Sequence, residues 1–256
     1  APLAPPRPKL GSPQAPNLYQ LETRVAAAGR EDVVATRIGV RRLAFEGGKL
    51  LLNGEPVQLR GVNRHQEYPY VGYALSEAAD RRDALLIKQY GFDYVRLSHY
   101  PQSPAFMAAA DELGLMVVPA IPGWQYHNPD PAFARQVVRT CADMIRRDRN
   151  HPSVLAWECS LNETRMPDAL VQALHDTVHA EYPGDQAFSA GWVPQTYDIY
   201  LQARQHRIDG KHALPDKPLI VSEYGDWEYY AMNAGFNQGA WADLKPADRS
   251  SRQALG

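Results

Sequence analysis

Hydrophobic and polar positions follow two different rhythms along the chain. Between residues 18 and 45, apolar and polar residues alternate in NLYQLETRVAA and VVATRIGVRRLAF, with a turn predicted at Gly29–Asp32. A period of two predicts half-buried β-strands. The next segment, FEGGKLLLNGEPVQLRG, carries Gly47-Gly48 and Asn53-Gly54, two turn signals that predict a hairpin. We interpret these strands as the end of a β-sandwich.

From Val57 the rhythm changes to strand, loop and helix. Four helical patterns, at residues 76–91, 103–114, 130–150 and 167–184, separate the first five of seven apolar strand candidates. Repeated strand–helix alternation predicts a parallel sheet with right-handed crossovers. No glycine-rich phosphate loop follows the first strand, which disfavours a dinucleotide-binding fold. The strand candidates are VQLRGVN, DYVRLSHY, LMVVPAI, SVLAWECS, AFSA, DIYLQ and PLIVSE.

The predicted fold class is α/β, a (β/α)8 barrel that lacks its last strand and follows the end of a β-sandwich. We expect a Pro-rich lead-in at residues 1–17, the sandwich tail at 18–42 and the catalytic barrel at 43–256. A complete barrel needs eight strands. The polar stretch ADLKPADRSSRQALG reads as the start of the seventh outer helix, so we expect the chain to be a fragment or another segment to supply the eighth strand.

Composition narrows the classes of function. The chain is 45% hydrophobic and 22% charged with a formal net charge of -2, so no electrostatic footprint indicates nucleic acid or an anionic membrane. No apolar stretch approaches the length of a transmembrane helix, and the first residues lack a signal-peptide core. Cys141 and Cys159 lie in a helical and a strand pattern, and we expect both to be buried free thiols. The compartment stays unknown, with a periplasmic or secreted location slightly favoured over a cytoplasmic one.

Two glutamates each end an apolar run. Glu163 follows VLAWECSLN and Glu223 follows LIVS. Barrel enzymes keep their chemistry at the carboxyl ends of the strands. Two carboxylates there supply the acid/base and the nucleophile for cutting a glycosidic bond. The alternatives are a surface loop for Glu163 and a structural salt bridge for Glu223, and Glu228 is a rival carboxylate in the same loop.

Polar and aromatic residues follow the other predicted strands. Such side chains bond sugar hydroxyls, hold carboxylates in place or stack on sugar rings. No histidine, cysteine or carboxylate spacing matches a metal site, and no GxSxG motif indicates a serine hydrolase. The candidate substrate-binding residues are Arg64, His65, His99, Trp124, Asn162, Trp192, Tyr200, Asp226, Trp227 and Glu228.

These motifs, taken in order, resemble glycoside hydrolase family 2, the β-galactosidase and β-glucuronidase family. The resemblance covers about residues 33–240 and rests on NGEPVQLRGVNRHQEYP, FDYVRLSHYPQSP, RRDRNHPSVLAWECSLNET and VSEYGDWEYY. It implies an immunoglobulin-like sandwich domain before the (β/α)8 barrel, with residues 18–40 as the tail of that sandwich, and a retaining mechanism. By motif match, Glu163 is the acid/base, Asn162 reads the 2-hydroxyl and Glu223 is the nucleophile. His99 matches a histidine near the sugar, and Tyr200 matches a tyrosine near the nucleophile.

The chain departs from the best-known β-galactosidases at two places. Their Glu-Thr-His-Gly stretch, which helps to bind magnesium, is replaced by Pro122–Gln125, and a histidine after the nucleophile is replaced by Asp226. We therefore expect no metal and no cofactor.

The predicted function is a retaining exo-β-glycosidase that hydrolyses terminal β-galactosides. The alternatives are another family 2 specificity (β-glucuronidase, β-mannosidase or α-L-arabinosidase), a non-catalytic carbohydrate-binding barrel, and an endo-acting relative such as a mannanase or cellulase. The expected partners are a carbohydrate, the missing domains of the parent chain and a second copy in a homo-oligomer, without nucleic acid or membrane.

Overall fold

The computed structural model describes residues 7–183, 187–202 and 217–223. Contacts divide the chain into two compact units, residues 1–201 with 213–220 and residues 202–212 with 221–256. The strands are β1 (Leu18–Ala27), β2 (Arg30–Gly39), β3 (Leu43–Glu46), β4 (Lys49–Leu52), β5 (Glu55–Val57), β6 (Gly61–Arg64), β7 (Tyr94–Leu97), β8 (Met116–Pro119), β9 (Ser189–Ala190), β10 (Ile199–Gln202) and β11 (Leu219–Val221). The helices are α1 (Glu77–Gln89), α2 (Pro104–Leu113), α3 (Pro131–Asp148) and α4 (Asp168–Glu181).

Strands β1 and β2 form a long antiparallel ribbon. Its pairing runs from Leu18 opposite Gly39 to Ala27 opposite Arg30. The turn is therefore Ala28-Gly29, where Gly29 has a φ of +74°, and the turn predicted at Gly29–Asp32 was placed too late. Arg30 already belongs to β2, because the register closes one residue after the glycine. Most ribbon residues are exposed, unlike the half-buried pattern expected. Its assignment to a sandwich domain stays a prediction.

Strands β3, β4 and β5 form a small antiparallel sheet with the two predicted turns. Gly47-Gly48 joins β3 to β4, and Asn53-Gly54 joins β4 to β5. Val57 lies in this sheet, so the first parallel strand begins at Gly61 rather than at the predicted residue 57. The apolar side chains of the small sheet cover one face of the parallel strands. The packed residues are Leu43, Phe45, Leu50, Tyr94, Met116, Val118, Leu155 and Ile199.

The parallel strands follow one another in chain order, as the alternation predicted. Strands β6, β7 and β8 pair in parallel. Residues 153–158, which we call the bridging segment, come next: Leu155 N–H donates to Val117 at 2.8 Å, and Trp157 N–H donates to Ala187 at 2.8 Å. Strand β9 then neighbours β10, and β10 neighbours β11. Within the described residues this is a partial barrel whose sheets do not close.

Each helix lies within one of the four predicted helical patterns. The Ser76 hydroxyl accepts the Ala79 N–H at the start of α1, and the Ser103 hydroxyl accepts the Phe106 N–H at the start of α2. Gly114, with a φ of +72°, ends α2 in the left-handed conformation that favours glycine. No helix among the described residues is long and apolar enough to cross a lipid bilayer.

Successive residues of the parallel strands face opposite sides. Val95 and Leu97 pack with the helices in the main core, whereas Tyr94 packs with the small sheet on the other face. Arg96 faces the same side as Tyr94, because side chains alternate along a strand. We call the side shared by Tyr94 and Arg96 the inner face and the helix side the outer face.

Cys141 and Cys159 form a disulfide bond, with their Cα atoms 5.5 Å apart. The expectation of two free thiols was therefore wrong. Cys159 directly follows the bridging segment and packs in the outer-face core with Cys141 of α3, so helix packing brings the two sulfurs together. The separation of 18 residues gave no sign of this, because it depends on how α3 docks.

Candidate active site

The loops that follow β8 and the bridging segment run side by side. Ile121 N–H donates to Glu158 at 3.1 Å, and Asn162 N–H donates to Gly123 at 3.1 Å. Gln125 N–H then donates to the Asn162 carbonyl at 3.0 Å. These backbone bonds extend the parallel pairing past the strand ends. They bring the segment that carries Asn162 and Glu163 beside the segment that carries Trp124 and Gln125.

The Glu163 carboxylate is held by two side chains from the neighbouring loop. Trp124 Nε1 donates to Oε2 at 3.0 Å, and Gln125 Nε2 donates to the same oxygen at 2.6 Å. Both Glu163 and Gln125 have positive φ, +49° and +51°. Non-glycine residues in this region cost of order 1 kcal/mol or more, and such residues cluster at functional sites. Two strained backbone positions, Glu163 and Gln125, therefore accompany the hydrogen bonds that hold this carboxylate.

A buried polar network includes Asn162, the residue before Glu163. Arg96 Nε donates to Glu158 Oε2 at 2.7 Å, its Nη2 also bonds Glu158 Oε1, and the two side chains are each 1% exposed. The same Nη2 donates to Asn162 Oδ1 at 2.9 Å. Asn162 Nδ2 lies 3.2 Å from His99 Nε2. Because Arg96 must donate to Oδ1, the amide nitrogen faces His99, whose Nε2 then accepts and whose ring proton sits on Nδ1.

A cluster of rings extends the site to the ends of β6 and β7. The rings of His65 and His99 are 5.6 Å apart and nearly perpendicular, and the Tyr100 ring lies 6.1 Å from His65. The Gln66 N–H donates to the Tyr100 hydroxyl at 2.7 Å. Burial raises the pKa of Tyr100, which keeps its hydroxyl neutral. His65 and His99 thus lie together, and the contact between His99 and Asn162 joins this ring cluster to the buried polar network.

Trp192 and Tyr200 form a second group after β9 and on β10. Trp192 has a φ of +63°, and the Tyr200 ring lies 5.2 Å from the Tyr197 ring. Burial raises the pKa of Tyr200, and a backbone hydrogen bond from Trp192 partly opposes that shift. These two predicted residues are in contact with each other.

Arg64 is not brought to this site. Its guanidinium bonds Asp80 at 2.8 Å, Asp83 at 2.7 Å and Gln102 at 2.5 Å, and it lies 4.2 Å from the Phe106 ring centroid. All four partners belong to the helix layer or its connections. The side chain points to the outer face, so Arg64 has a structural role there instead of the predicted role in substrate binding.

Glu223 stands two residues after β11, where the sequence placed it. Ser222 N–H donates to the Gln202 carbonyl at 2.9 Å, which carries the pairing with β10 past the end of β11. Glu223 is half-buried and belongs to the second compact unit. Asp226, Trp227 and Glu228 lie outside the described residues, so their roles stay predictions.

Two residues of the site escaped the sequence analysis. Glu158 was overlooked within the bridging segment, and Gln125 was noted as part of the Pro122–Gln125 stretch but not as a partner of Glu163. The signal for Glu158 was present: one acid in the apolar run VLAWECS and one arginine in DYVRL indicate a buried pair on facing strands. Gln125 offered no such signal, because its contact with Glu163 depends on the course of two loops.

Comparisons with known proteins identify the family of the chain. The family model described as "Glycosyl hydrolases family 2, TIM barrel domain" matches residues 43–242. The chain belongs to glycosyl hydrolase family 2. Among curated family members, it is 37% identical to a β-galactosidase of Thermoanaerobacterium thermosulfurigenes over 238 residues, which is 86% of this chain and 33% of the relative. It is 38% identical to a Pectobacterium atrosepticum β-galactosidase over 243 residues, covering 85% of this chain and 23% of the relative.

The similar solved structures are named β-glucuronidases, whereas the curated relatives are named β-galactosidases. β-Glucuronidase 3 of Bacteroides uniformis superposes with a TM-score of 0.68 at 32% identity, covering 76% of this chain and 27% of that one. The Parabacteroides merdae β-glucuronidase gives 0.68 at 29% identity, with 76% and 27% covered. The chain therefore spans a third or less of the length of these family 2 relatives.

Proposed function

We propose that the protein containing this chain is a retaining exo-β-glycosidase that hydrolyses terminal β-galactosides. The supporting observation is the presentation of Glu163. Its carboxylate stands at the end of a buried segment, held by Trp124 and Gln125, and its neighbour Asn162 is fixed by Arg96. A carboxyl group held in this way suits a proton transfer whose geometry must be set before the substrate arrives.

Glu163 is the proposed acid/base. In the first step it gives its proton to the glycosidic oxygen while Glu223 attacks the anomeric carbon, so the aglycone leaves and a glycosyl-enzyme forms. In the second step Glu163 takes a proton from water, which attacks the same carbon and releases Glu223. Two displacements retain the anomeric configuration, and they need the carboxyl groups about 5–5.5 Å apart.

Asn162 is the proposed reader of a sugar hydroxyl. Its oxygen is bound by Arg96 and one of its N–H groups faces His99. A side-chain amide has two N–H donors, so the second serves a substrate hydroxyl beside the acid/base. The amide cannot flip without placing its nitrogen against the Arg96 guanidinium, and this fixes the donor orientation in advance.

Trp124 is the proposed stacking surface. The residue is 58% exposed although its Nε1 is bound to Glu163, so the side chain is open to solvent beside the carboxylate. Sugar rings expose C–H groups that pack on aromatic faces. We also propose His65, His99, Trp192 and Tyr200 as substrate-binding residues, and the same role is predicted for Asp226, Trp227 and Glu228.

A β-glucuronidase is the second candidate. The similar solved structures bear that name, and exposed Arg165 lies two residues after Glu163, where it offers positive charge for a uronate. Against this, the two arginines within parallel strands already serve protein carboxylates, Arg64 with Asp80 and Arg96 with Glu158. The curated β-galactosidases are also more similar in sequence than these structures, which favours the galactoside.

The test is hydrolysis of a panel of nitrophenyl glycosides by the full-length protein: β-galactoside, β-glucuronide, β-mannoside, β-glucoside and α-L-arabinoside. We expect the β-galactoside to be cleaved fastest and Glu163→Gln and Glu223→Gln to abolish turnover. Preference for the glucuronide, reduced by Arg165→Gln, would select the second candidate. Sugar binding by a folded protein without any hydrolysis would indicate a carbohydrate-binding barrel instead.

Azide rescue separates the two glutamates. Azide added to Glu163→Ala should intercept the glycosyl-enzyme and yield the β-glycosyl azide, because that variant keeps its nucleophile. Azide added to Glu223→Ala should attack directly and yield the α-glycosyl azide. The reverse assignment of the products would exchange the two proposed roles.

A further inference from the structure

Two histidines and one aspartate converge at a place remote from Glu163. His175 and His179 lie four residues apart on α4, and Asp198 directly precedes β10. Residues i and i+4 of a helix share one face. Asp198 stands at the amino end of its strand, whereas Glu163 follows the carboxyl end of the bridging segment. The cluster is therefore at the opposite end of the parallel strands from the candidate active site.

The three side chains offer ligand atoms at distances that suit one metal ion. His179 Nε2 lies 2.8 Å from Asp198 Oδ2, and His175 Nε2 lies 3.3 Å from Asp198 Oδ1. One atom from each residue falls within a set no wider than 4.8 Å. Ligands at 2.0–2.2 Å around a tetrahedral zinc ion are about 3.3 Å from one another, so small side-chain movements suffice.

Neighbouring residues form hydrogen bonds to the candidate ligand side chains, as they do in metal sites. His175 Nδ1, the nitrogen turned away from Asp198, lies 3.3 Å from Asp176 Oδ1, and Gln172 donates to that same oxygen at 2.8 Å. Asp198 Oδ2 accepts backbone N–H groups from Ala187 at 3.0 Å and Phe188 at 2.8 Å. A carboxylate behind a ligating histidine and hydrogen bonds to a ligating carboxylate are typical of metal centres.

A plain hydrogen-bonded cluster explains less of this arrangement. The two backbone N–H groups already satisfy one Asp198 oxygen, yet two imidazoles still converge on the carboxylate with their rings 4.5 Å apart. The side chains of His175, His179 and Asp198 are 27%, 28% and 11% exposed. An ion can reach them from solvent while the carboxylate stays largely shielded.

We propose that His175, His179 and Asp198 form a zinc site, with water as the fourth ligand. Two imidazoles and one carboxylate suit Zn²⁺ and similar borderline metals better than Mg²⁺. The bound ion would fasten α4 to the start of β10. Because the amino ends of barrel strands serve stability rather than chemistry, we assign the site a structural role. No metal-ligand spacing was recognised in the sequence, because HDTVH supplies only two ligands and Asp198 is 19 residues further on.

The test uses the full-length protein without a histidine tag, stripped with a chelator and titrated with ZnCl₂ in a calorimeter. We expect one zinc ion per chain and a rise in melting temperature on zinc addition. His175→Gln and His179→Gln should each weaken zinc binding at least about 10-fold. The matched control is His151→Gln, which removes a histidine also paired with an aspartate, Asp111 at 2.6 Å, and should bind zinc like the parent.

A second readout is the visible spectrum of the Co²⁺-loaded protein. Strong bands of tetrahedral cobalt should be present in the parent and in His151→Gln, and absent from either ligand variant. Circular dichroism of each variant confirms that it is folded, and the two single variants are independent of each other. Absence of zinc binding by the folded parent, or equal binding by all three variants, would overturn the proposal.

Discussion

Arg64 and Arg96 occupy adjacent strands, are both almost fully buried and both bind carboxylates, yet they serve different parts of the molecule. Their strands pair with Asn63 opposite Arg96 and Arg64 opposite Leu97. Arg64 therefore points to the outer face, where Asp80 and Asp83 of α1 hold it. Arg96 points to the inner face, where it bonds Glu158 and Asn162 beside the candidate acid/base.

The difference shows that parity along the strand decides whether a buried charge reaches the site. A shift of one residue turns a side chain from one face of a sheet to the other. On the outer face an arginine meets helix residues and contributes to stability. On the inner face the same residue type meets the strand ends that carry the candidate chemistry. Each variant below tests one side of this comparison.

Replacement of Arg96 should have the largest effect. Arg96→Leu leaves Glu158 buried without its partner, which costs about 3–5 kcal/mol of stability. It also frees the Asn162 amide, so we expect kcat/KM to fall at least about 100-fold in the protein that stays folded. Denaturant unfolding and nitrophenyl glycoside hydrolysis measure the two effects. The double variant Arg96→Leu/Glu158→Leu should recover stability but not activity, and recovery of both would contradict a positioning role.

Replacement of Arg64 should cost similar stability without touching the chemistry. Arg64→Leu leaves Asp80 and Asp83 in a buried place without their cation, and we expect a loss of about 3–5 kcal/mol. The value of kcat/KM per folded molecule should not change. Asp80→Asn and Asp83→Asn in the same chain should restore part of the stability. If kcat/KM of the folded Arg64→Leu variant fell, and the added Asp80→Asn and Asp83→Asn changes did not restore it, Arg64 would have a role in substrate binding after all.

Loss of the disulfide tests how much this link in the outer-face core contributes to stability. Cys141→Ser/Cys159→Ser removes a link that closes a short loop, which typically contributes about 3 kcal/mol. The melting temperature should fall in this variant and in the reduced parent, since both lose the same link. Thiol titration of the denatured, unreduced parent should find neither cysteine free. Two reactive thiols in that sample would show that the bond does not form.

Removal of the Gln125 side chain tests the contact specific to Glu163. Gln125→Ala deletes one charge-assisted hydrogen bond, worth about 1.5–3 kcal/mol. If that contact acts in the transition state, kcat/KM should fall about 10–100-fold with little change in melting temperature. Gln136→Ala, the same change at an exposed position on α3, provides the matched control. A Gln125→Ala variant as active as this control would remove Gln125 from the proposed site.

The smallest effect is expected at Glu112 on α2. A hydrogen bond from Arg81 lowers the pKa of Glu112 in spite of partial burial, and Arg37 of the ribbon adds to this effect. A carboxyl group whose pKa is lowered by folding contributes stability above its unfolded pKa of about 4.3, and that contribution is lost as the pH falls through the lower folded pKa. Glu112→Gln should therefore lose about 0.5–1 kcal/mol at pH 7 and less than that at pH 2.5.

Thermal unfolding of the parent and of Glu112→Gln at both pH values measures this difference. A gap in melting temperature that stays constant with pH would mean that Glu112 acts through packing rather than through its charge. The ribbon is held partly by Arg37, so its attachment should weaken together with the ion pair.

Much of the architecture was readable from local patterns. Apolar runs separated by helical patterns predicted the parallel strands in their order, and those patterns contain all four helices of the structure. The position of Glu163 after a buried apolar segment was predicted in the same way. These features depend on residues within one or two turns of each other, so the sequence displays them directly. The turn of the ribbon was misplaced because Gly29 allows several registers.

The chain by itself determined the order of its elements, its family motifs and the glutamate at the strand end, because periodicity, capping and local residue types act over a few neighbouring positions. Only the tertiary structure decided that Arg64 faces outwards, that Glu158 and Gln125 join the site, that Cys141 meets Cys159 and that Asp198 meets two histidines. Each of these pairings depends on strand parity or on helix docking. Both are fixed by packing between segments that are distant in sequence.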